Sequence, residues 1–360
     1  MTTRLNLYCH FNHTGVGRHS ENIHAALAKR IPADMELRYL DMKDEAAVAK
    51  AIAESRDGLD VTIFFWRQPV EFVRRFRGRR VLWWAFESDL LPKAWLDQVE
   101  PYDEIWVPSG WGQAVLHAHG IPDERIRVVA EGVDPTVYRP EPLLHRGFIF
   151  LSVGKYERRK SIDEIVAAFG AEFPADRYPE VRLWLKADYP LYPHRVQELS
   201  ERVRDDGRIR IISGVASDET ISKLYRVADV FVFPSKAEGF GLPCIEAIAC
   251  GVPVIATNVS GQSAFLERIP GLFVPVAHER TPIVDPDYST FYRADYGNDD
   301  FGNWAIPSMA SLRAAMRTVY ENPAEWRKRA DEAAAVIRRE FSWVEISRKV
   351  IESVVPPYRD

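Results

Sequence analysis

The fold is indicated most clearly by residues 230–256, which read Val230-Phe-Val-Phe-Pro-Ser-Lys-Ala-Glu-Gly-Phe-Gly-Leu-Pro-Cys-Ile-Glu-Ala-Ile-Ala-Cys-Gly-Val-Pro-Val-Ile-Ala256. The apolar run at 230–233 has the length of a buried strand, and a second apolar run follows at 254–256. Pro243 suits the first turn of a helix, where its missing N–H is not needed. The stretch therefore predicts a strand, a glycine loop, a short helix that begins near Leu242, and a second strand.

The loop between this strand and this helix predicts an anion site with two carboxylates beside it. Gly239 and Gly241 let the backbone turn tightly and approach a ligand. The unpaired N–H groups and the positive dipole end of the helix start favour a phosphate. Glu238 lies in the loop, and Glu246 lies in the helix, where side chains lean back toward the N-terminus. Carboxylates beside a phosphate site suit hydroxyl groups, which sugars and riboses supply.

Composition restricts the class of protein without deciding it. The 360 residues are 46% hydrophobic, which is enough for about two domains. Lys and Arg number 47 against 52 Asp and Glu, a balance that argues against a general nucleic-acid binder. The three cysteines, Cys9, Cys244 and Cys250, indicate neither a disulfide framework nor a zinc site and suit a reducing cytosol. We expect a cytoplasmic protein, soluble or peripheral at the inner face of the membrane.

Apolar runs of strand length alternate with helical patterns twice along the chain. This alternation predicts two α/β domains, each with a parallel sheet covered on both faces. The candidate strands of the first half are 5–9, 35–39, 61–65, 81–84, 104–107 and 126–130. Those of the second half are 147–153, 181–186, 208–212, 230–233, 254–256 and 272–274. Turn-forming residues at 131–142 predict the connection between the domains.

The segment that holds the two glutamates resembles a known family signature. Two glutamates separated by seven residues flank Gly-Phe-Gly-Leu-Pro, as in the retaining GT-B glycosyltransferases of glycosyltransferase family 4, also called glycosyl transferases group 1. The resemblance covers nearly the whole chain and implies a GT-B fold, in which two doubly wound Rossmann-like domains face each other across a cleft. It implies an N-terminal acceptor-side domain at 1–140 and a C-terminal nucleotide-sugar donor-binding domain at 141–340. A C-terminal helix within 341–360 is expected to cross back to the first domain.

The resemblance also assigns donor-side residues, one position at a time. Glu238 would contact the donor sugar, and Glu246 would bind the ribose hydroxyls. Backbone groups near the sugar and the diphosphate would come from Gly239, Phe240, Gly241 and Leu242. In the loop Ser152-Val-Gly-Lys-Tyr-Glu-Arg-Arg-Lys-Ser161, the residues matched to the diphosphate site are Gly154, Lys155 and Lys160. The family usually has arginine in place of Lys155 and often glycine in place of Ser161, while Arg158 and Arg159 suit a solvated basic loop. The turn at Gly214 and Val215 would lie against the nucleobase.

Acceptor-side residues are expected in the first domain. The stretch Asn12–Ser20 is an incomplete dinucleotide fingerprint, since Ser20 stands where the third glycine would be. By resemblance, Gly17 would lie against the donor phosphate, and Gly15 and Arg18 would lie on the acceptor side. Glu87 and Asp89, which follow a strand, would bind acceptor hydroxyls or support the reaction, although acids at a strand end are also ordinary surface residues. Six of the ten tryptophans lie at 66–111, either as sheet packing or as a stacking platform for a sugar.

The implied activity is transfer of a hexose, with retention, to a glycan or lipid-linked acceptor of surface polysaccharide or lipopolysaccharide synthesis. The expected hexose is mannose, with GDP-mannose as the donor. Lys155 and Lys160 would stabilise the leaving diphosphate, so no metal or other cofactor is expected. A GT-B nucleotide-sugar epimerase or phosphorylase and a non-catalytic nucleotide-sugar-binding subunit remain alternatives.

Two further segments carry their own expectations. Six arginines crowd residues 67–80, and Phe72 and Phe76 lie four apart, which predicts either weak docking on anionic lipid or on the phosphates of a lipid-linked acceptor, or a solvated basic helix. The arginines are Arg67, Arg74, Arg75, Arg77, Arg79 and Arg80. Residues 277–307 predict an irregular insertion, whose Asp285-Pro-Asp287 does not end an apolar strand and is not expected to bind a metal.

Overall fold

A computed structural model describes residues 3–12, 15–188, 193–298 and 300–355 and contains two compact units. The first unit takes the chain up to Gly132, the segment Pro286–Gly302 and the chain from Phe341 onward. The second unit takes Val133–Asp285 and Asn303–Glu340. The chain therefore enters the first unit three times.

A six-stranded sheet with only parallel pairs forms the centre of the first unit, in the order β2-β1-β3-β4-β5-β6. Its strands are β1 (Thr3–Cys9), β2 (Met35–Asp41), β3 (Asp60–Phe64), β4 (Arg79–Trp83), β5 (Glu104–Val107) and β6 (Ile126–Val128). Helices between them are α1 (Gly15–Ala28), α2 (Glu45–Glu54), α3 (Val70–Val73), α4 (Lys93–Asp97) and α5 (Gly110–Ala118). Buried apolar clusters on both faces of the sheet explain why its strands read as apolar runs.

The second unit is built on another parallel six-stranded sheet, with the order β12-β11-β10-β7-β8-β9. Its strands are β7 (Phe148–Lys155), β8 (Val181–Asp188), β9 (Ile209–Ile212), β10 (Val230–Phe233), β11 (Val254–Ala256) and β12 (Val274–Pro275). Its helices are α6 (Ile162–Glu172), α7 (Pro193–Val203), α8 (Asp218–Val227), α9 (Leu242–Ala249), α10 (Ser263–Leu266), α12 (Met309–Glu321) and α13 (Pro323–Glu340). The chain winds outward from β7 in both directions, which is the doubly wound arrangement that the sequence predicts.

The region predicted as an irregular insertion contains regular secondary structure, so this prediction was wrong. Its described residues include the antiparallel pair β13 (His278–Pro282) and β14 (Asn303–Pro307), with helix α11 (Pro286–Tyr296) between them. The helix belongs to the first unit, where Tyr292 packs on Trp95 of α4 with ring centroids 5.2 Å apart.

The last helix of the first unit is α14 (Trp343–Val354), which begins after Ser342. The hydroxyl of Ser342 caps this helix by accepting a hydrogen bond from the backbone N–H of Glu345 at 3.2 Å. Trp343 is buried and stacks on His19 of α1 at a centroid distance of 5.6 Å. Helix α14 therefore completes the core beside the first helix.

The arginine-rich segment differs from the expected basic helix. Helix α3 ends at Val73, so Phe72 and Phe76 do not share one helix face. Both rings instead pack around Tyr8, at centroid distances of 5.3 and 6.2 Å. No helix in the described part of the chain is long and apolar enough to cross a membrane.

Candidate active site

The candidate active site lies at the carboxyl ends of two neighbouring strands in the second unit. β7 and β10 pair in parallel, and the chain order reverses between them, which is where doubly wound sheets bind ligands. β7 ends with Gly154 and Lys155, which are followed by a turn that carries Lys160. β10 is followed by the loop that carries Glu238. Two predicted donor segments therefore meet at this point.

The buried carboxylate of Glu238 is the centre of the site. Lys160 Nζ donates to both of its oxygens, at 2.6 and 2.7 Å. Arg159 Nη1 donates to Oε2 at 3.0 Å, and Ser235 Oγ donates to Oε1 at 2.6 Å. The predicted residues Lys160 and Glu238 are thus brought into direct contact.

Three cations and two carboxylates form this group of charges, which we call the Glu238 cluster: Lys155, Glu157, Arg159, Lys160 and Glu238. Glu157 contacts Arg159 Nη2 at 3.0 Å and lies 3.6 Å from Lys155 Nζ. Lys155 is the most exposed member, with 48% of its side chain accessible. Among these five side chains, the positive charges exceed the negative ones by one.

Burial and ion pairing act in opposite directions on the pKa values of the cluster. Burial raises the pKa of Glu238, but the charges of Lys160 and Arg159 outweigh it and hold that pKa below its ordinary value. Burial also lowers the pKa of Lys160, against the opposing effect of Glu238. At neutral pH we take both as charged, because each supplies the counter-charge that the other requires.

A second loop holds the backbone of Glu238 from the other side. Ser260 Oγ accepts a hydrogen bond from the Glu238 N–H at 2.8 Å, and the Gly261 N–H donates to the Glu238 carbonyl at 2.9 Å. A Cβ atom at Gly261 would lie 2.0 Å from the Gly239 carbonyl oxygen, so only glycine fits there. This support loop follows β11, the strand next to β10, at the same edge of the sheet.

Sequence reasoning missed Ser235, Ser260 and Gly261, and it treated Arg159 as a solvated loop residue. The position of Ser260 and Gly261 beyond the carboxyl end of β11 was a usable signal, because neighbouring parallel strands end at one edge. No local pattern connects Arg159 with Glu238, since the two are 79 residues apart.

The helix start next to the cluster has the predicted form. Gly241 precedes α9 with a φ of 102°, a conformation that favours glycine, and Leu242 is the first helical residue. The described residues give this end of α9 no side-chain cap, and the Cys244 N–H donates to the Gly241 carbonyl at 2.9 Å. Phe240 is buried, with its ring 5.3 Å from that of Phe265.

Glu246 occupies the next turn of α9 and is also buried. The phenolic hydroxyl of Tyr225, on α8, donates to Glu246 Oε2 at 3.0 Å. Glu246, the residue predicted to bind the ribose, is therefore hydrogen-bonded to a fully buried tyrosine.

The predicted nucleobase turn lies beyond β9. Gly214 has a φ of 93°, and its N–H donates to Asp188 Oδ1 at 2.6 Å. Val215 is 76% exposed, which is unusual for an apolar side chain and suits a surface that a flat ring covers.

The predicted acceptor-side residues lie in the first unit. Gly15, Gly17 and Arg18 form the first turn of α1. A Cβ atom at Gly17 would lie 2.3 Å from Asn12 Oδ1, so this glycine is required for a close approach of the preceding loop. Glu87 and Asp89 lie beyond β4 and are half-buried.

Segment 286–302 packs directly on the loop that carries these two acids. Ser88 Oγ donates to the Phe301 carbonyl at 2.6 Å, and the Tyr296 hydroxyl donates to the Leu90 carbonyl at 2.8 Å. Burial and the nearby Glu87 raise the pKa of Tyr288. Helix α11 and the Glu87–Asp89 loop therefore form one packed surface.

Most of the tryptophans at 66–111 are packed in the core. Trp83, Trp84, Trp95 and Trp106 are buried, whereas Trp66 is 41% exposed. In the described part of the chain, no group of three or more His, Cys, Asp and Glu side chains is placed to hold a metal ion.

Comparison with known proteins places residues 147–281 in a family described as glycosyl transferases group 1. O-antigen chain mannosyltransferase B of Escherichia coli is 37% identical over 110 residues, which are 31% of this chain and 28% of that protein. Alpha-maltose-1-phosphate synthase of Mycolicibacterium smegmatis is 29% identical over 280 residues, which are 72% of this chain and 65% of that protein. D-inositol 3-phosphate glycosyltransferase 1 of Catenulispora acidiphila is 30% identical over 176 residues, which are 44% of this chain and 42% of that protein. The chain spans less than two thirds of each of these relatives.

Two solved structures superpose on nearly the whole of this chain. Anabaena HepE, solved in complex with UDP and glucose, superposes with a TM-score of 0.69 at 15% identity. The superposition covers 99% of this chain and 100% of the HepE chain. WaaG, a glycosyltransferase involved in lipopolysaccharide biosynthesis, superposes with a TM-score of 0.63 at 17% identity and covers 99% of this chain and all of its own. The present chain therefore has the GT-B fold, and its residues 147–281 match the family described as glycosyl transferases group 1.

Proposed function

We propose that this protein is a retaining glycosyltransferase that moves a hexose from a nucleotide diphosphate donor to a glycan or lipid-linked acceptor. The observation that carries the proposal is the Glu238 cluster at the carboxyl ends of β7 and β10, beside the uncapped start of α9. Cations and helix N–H groups suit a diphosphate, and a buried carboxylate next to them suits sugar hydroxyls.

In this proposal the protein stabilises charge that develops on the leaving diphosphate. Lys155, Lys160 and the N–H groups at the start of α9 would act as fixed electrostatic partners of its oxygens. Glu246 would hold the ribose, and Gly214 and Val215 would lie against the base. Because the cluster supplies positive charge itself, we propose that transfer needs no metal ion.

The finer assignments rest on what relatives are named for. Mannose transfer and O-antigen synthesis are suggested by the mannosyltransferase of Escherichia coli, and lipopolysaccharide synthesis is suggested by WaaG. We propose mannose from GDP-mannose as the first donor to test, with UDP-glucose next because HepE was solved with UDP and glucose. On the acceptor side we propose Gly15, Arg18, Glu87 and Asp89, with Gly17 toward the donor phosphate.

A peripheral membrane contact is proposed for a reduced set of arginines. Arg74 pairs with Glu71 and Glu100, Arg80 pairs with Asp103, and Arg79 pairs with Glu104. Arg67 is buried, with its guanidinium 4.1 Å from the ring centroid of Trp95. The exposed Arg75 and Arg77 are the members best placed to meet lipid phosphates.

The deciding experiment is a thermal-shift panel of nucleotide sugars, followed by assays of transfer. A donor at 100 times its dissociation constant should add about 2.7 kcal/mol of stability. The panel is repeated in excess EDTA, where both the shift and the transfer should persist. Product analysis by NMR then reports the anomeric configuration.

Each alternative gives a different result in this experiment. Donor turnover without any acceptor would favour an epimerase or a phosphorylase, and donor binding without turnover would favour a binding subunit. Absence of a shift with every nucleotide sugar would refute the proposal.

A further inference from the structure

The hydrogen-bonding capacity of Glu238 is already filled within the protein. A carboxylate offers roughly four lone-pair sites. Glu238 accepts four hydrogen bonds, two from Lys160 and one each from Arg159 and Ser235. A sugar hydroxyl can therefore reach Glu238 only if one of these donors leaves.

Burial makes the departure of a donor without replacement costly. The side chains of Glu238, Lys160 and Arg159 are only 6%, 11% and 12% exposed. Breaking a buried ion pair leaves uncompensated charge in a poorly solvated place. A phosphate oxygen that takes the place of the carboxylate on Lys160 would remove this cost for the cation.

The same event would free the carboxylate. Once Lys160 turns to a phosphate, Glu238 regains lone pairs that a sugar hydroxyl can occupy. The intact donor carries both groups, the phosphates and the sugar. A nucleoside diphosphate carries the phosphates but no sugar to be transferred. When it binds, no sugar hydroxyl is present to donate to the freed carboxylate of Glu238.

We propose that Glu238 is an internal counter-anion that competes with the diphosphate for Lys160 and Arg159. This inference rests on the proposed function and deepens it. Glu238 lowers the affinity for the free nucleoside diphosphate, which is the product, while the sugar of the intact donor restores the balance. The carboxylate thereby favours release of the product over release of the donor.

The test is calorimetric titration of UDP and GDP into the wild type and Glu238→Gln. Removing the charge of Glu238 should tighten binding of the nucleoside diphosphate about tenfold, since a hydrogen bond to a charged group is at stake. Uridine and guanosine, which have no phosphate, should bind both proteins equally. Unchanged or weaker binding of UDP and GDP by Glu238→Gln overturns the inference.

Glu157→Gln is the matched control, because it removes the same charge from the same cluster. Glu157 contacts Arg159 and lies near Lys155, whereas Lys160 Nζ donates to Glu238. Its effect on UDP and GDP should be clearly smaller than that of Glu238→Gln. If both variants bind UDP and GDP more tightly by the same factor, the effect comes only from the net charge of the cluster, and the inference is overturned.

A second measurement guards against misfolding and separates the two proposals. Inorganic pyrophosphate should raise the melting temperature of Glu238→Gln more than that of the wild type, and the double variant Glu238→Gln with Lys160→Met should lose this gain. Equal shifts in the wild type and Glu238→Gln overturn the inference whatever the substrate is. If the wild type binds no nucleotide sugar and no nucleoside diphosphate, the proposed function fails instead.

Discussion

The hydroxyl of Tyr225 donates to Glu246 Oε2 at 3.0 Å, and both side chains are buried between α8 and α9. Replacing Tyr225 with Phe keeps the ring, which packs 5.4 Å from Phe231, but removes the donor. We expect a loss of about 1 to 3 kcal/mol in the free energy of unfolding and weaker binding of every nucleotide that carries a ribose. Chemical denaturation and titration with UDP or GDP measure the two effects.

Tyr320→Phe is the control for this change. Its hydroxyl makes the same kind of bond, to Glu180 Oε1 at 3.0 Å, but at an exposed place in the same unit. Equal nucleotide affinities of Tyr225→Phe and the wild type would contradict a ligand role for Glu246.

Gly261→Ala should disrupt the hydrogen bonds that Ser260 and Gly261 make to the backbone of Glu238. Its Cβ would lie 2.0 Å from the Gly239 carbonyl oxygen, so the loop must move. Overpacking of this kind costs about 1 to 3 kcal/mol, and donor turnover should fall with it. Gly207→Ala is the control, since a Cβ there meets no atom within 4 Å. Melting temperature and donor turnover that match the control would show that the loop gives no support.

Gly302→Ala should impair use of the acceptor while leaving donor binding unchanged. A Cβ at Gly302 would lie 2.5 Å from Ser88 Oγ and 2.6 Å from Asp89 Oδ1, so segment 286–302 must lift from the loop that carries the two acids. Gly297→Ala is matched to it, because both glycines have a positive φ but a Cβ at Gly297 meets no atom within 4 Å. Transfer rates at varied acceptor concentration separate the two, and identical acceptor dependence would remove Glu87 and Asp89 from the acceptor site.

His19 should make the first unit sensitive to acid. Burial among the rings of Phe65, Trp83 and Trp343 lowers its pKa from 6.5 to about 3, despite the Glu131 carboxylate 3.7 Å from its Nδ1. Below pH 6.5, His19 is protonated in the unfolded chain but stays neutral in the folded chain, which favours unfolding. The stability that neutral His19 provides is therefore fully present above pH 6.5 and is lost as the pH falls toward 3.

The expected slope from this one residue is about 1.4 kcal/mol per pH unit. His19→Phe should show a flatter loss of melting temperature than the wild type from about pH 6 to about pH 4. His117→Phe, at an exposed position, should follow the wild type. Parallel curves for His19→Phe and the wild type would mean that His19 is protonated in the folded chain.

Docking on anionic lipid should depend on Arg75 and Arg77. Each basic residue near an anionic surface contributes about 1 kcal/mol, so the double variant Arg75→Gln with Arg77→Gln should lose most recovery in flotation with anionic vesicles at low salt. Arg74→Gln serves as a control, because Arg74 is paired with Glu71 and Glu100. Equal recovery of the wild type with neutral and anionic vesicles excludes the contact.

The strands were predictable because buried parallel strands are continuous apolar runs, and the runs at 230–233 and 254–256 match β10 and β11 at both ends. The contacts of Glu238 with its charged partners were not predictable, because Lys160 and Arg159 lie 78 and 79 residues away and only the sheet brings them to Glu238. Helix α11 was not predicted because its packed face is made of half-buried tyrosines rather than buried aliphatic residues. Their spacing of four, at Tyr288, Tyr292 and Tyr296, was the signal that could have found it.

The division of the chain between the two units has a consequence for biosynthesis. The first unit includes α11 and α14, which follow or interrupt the second unit in the sequence. A ribosome therefore releases the amino-terminal sheet long before Trp343, which stacks on His19, has been made. The core of the first unit can therefore be completed only after the second unit has been synthesised. Until then, the amino-terminal sheet lacks its contacts with α14.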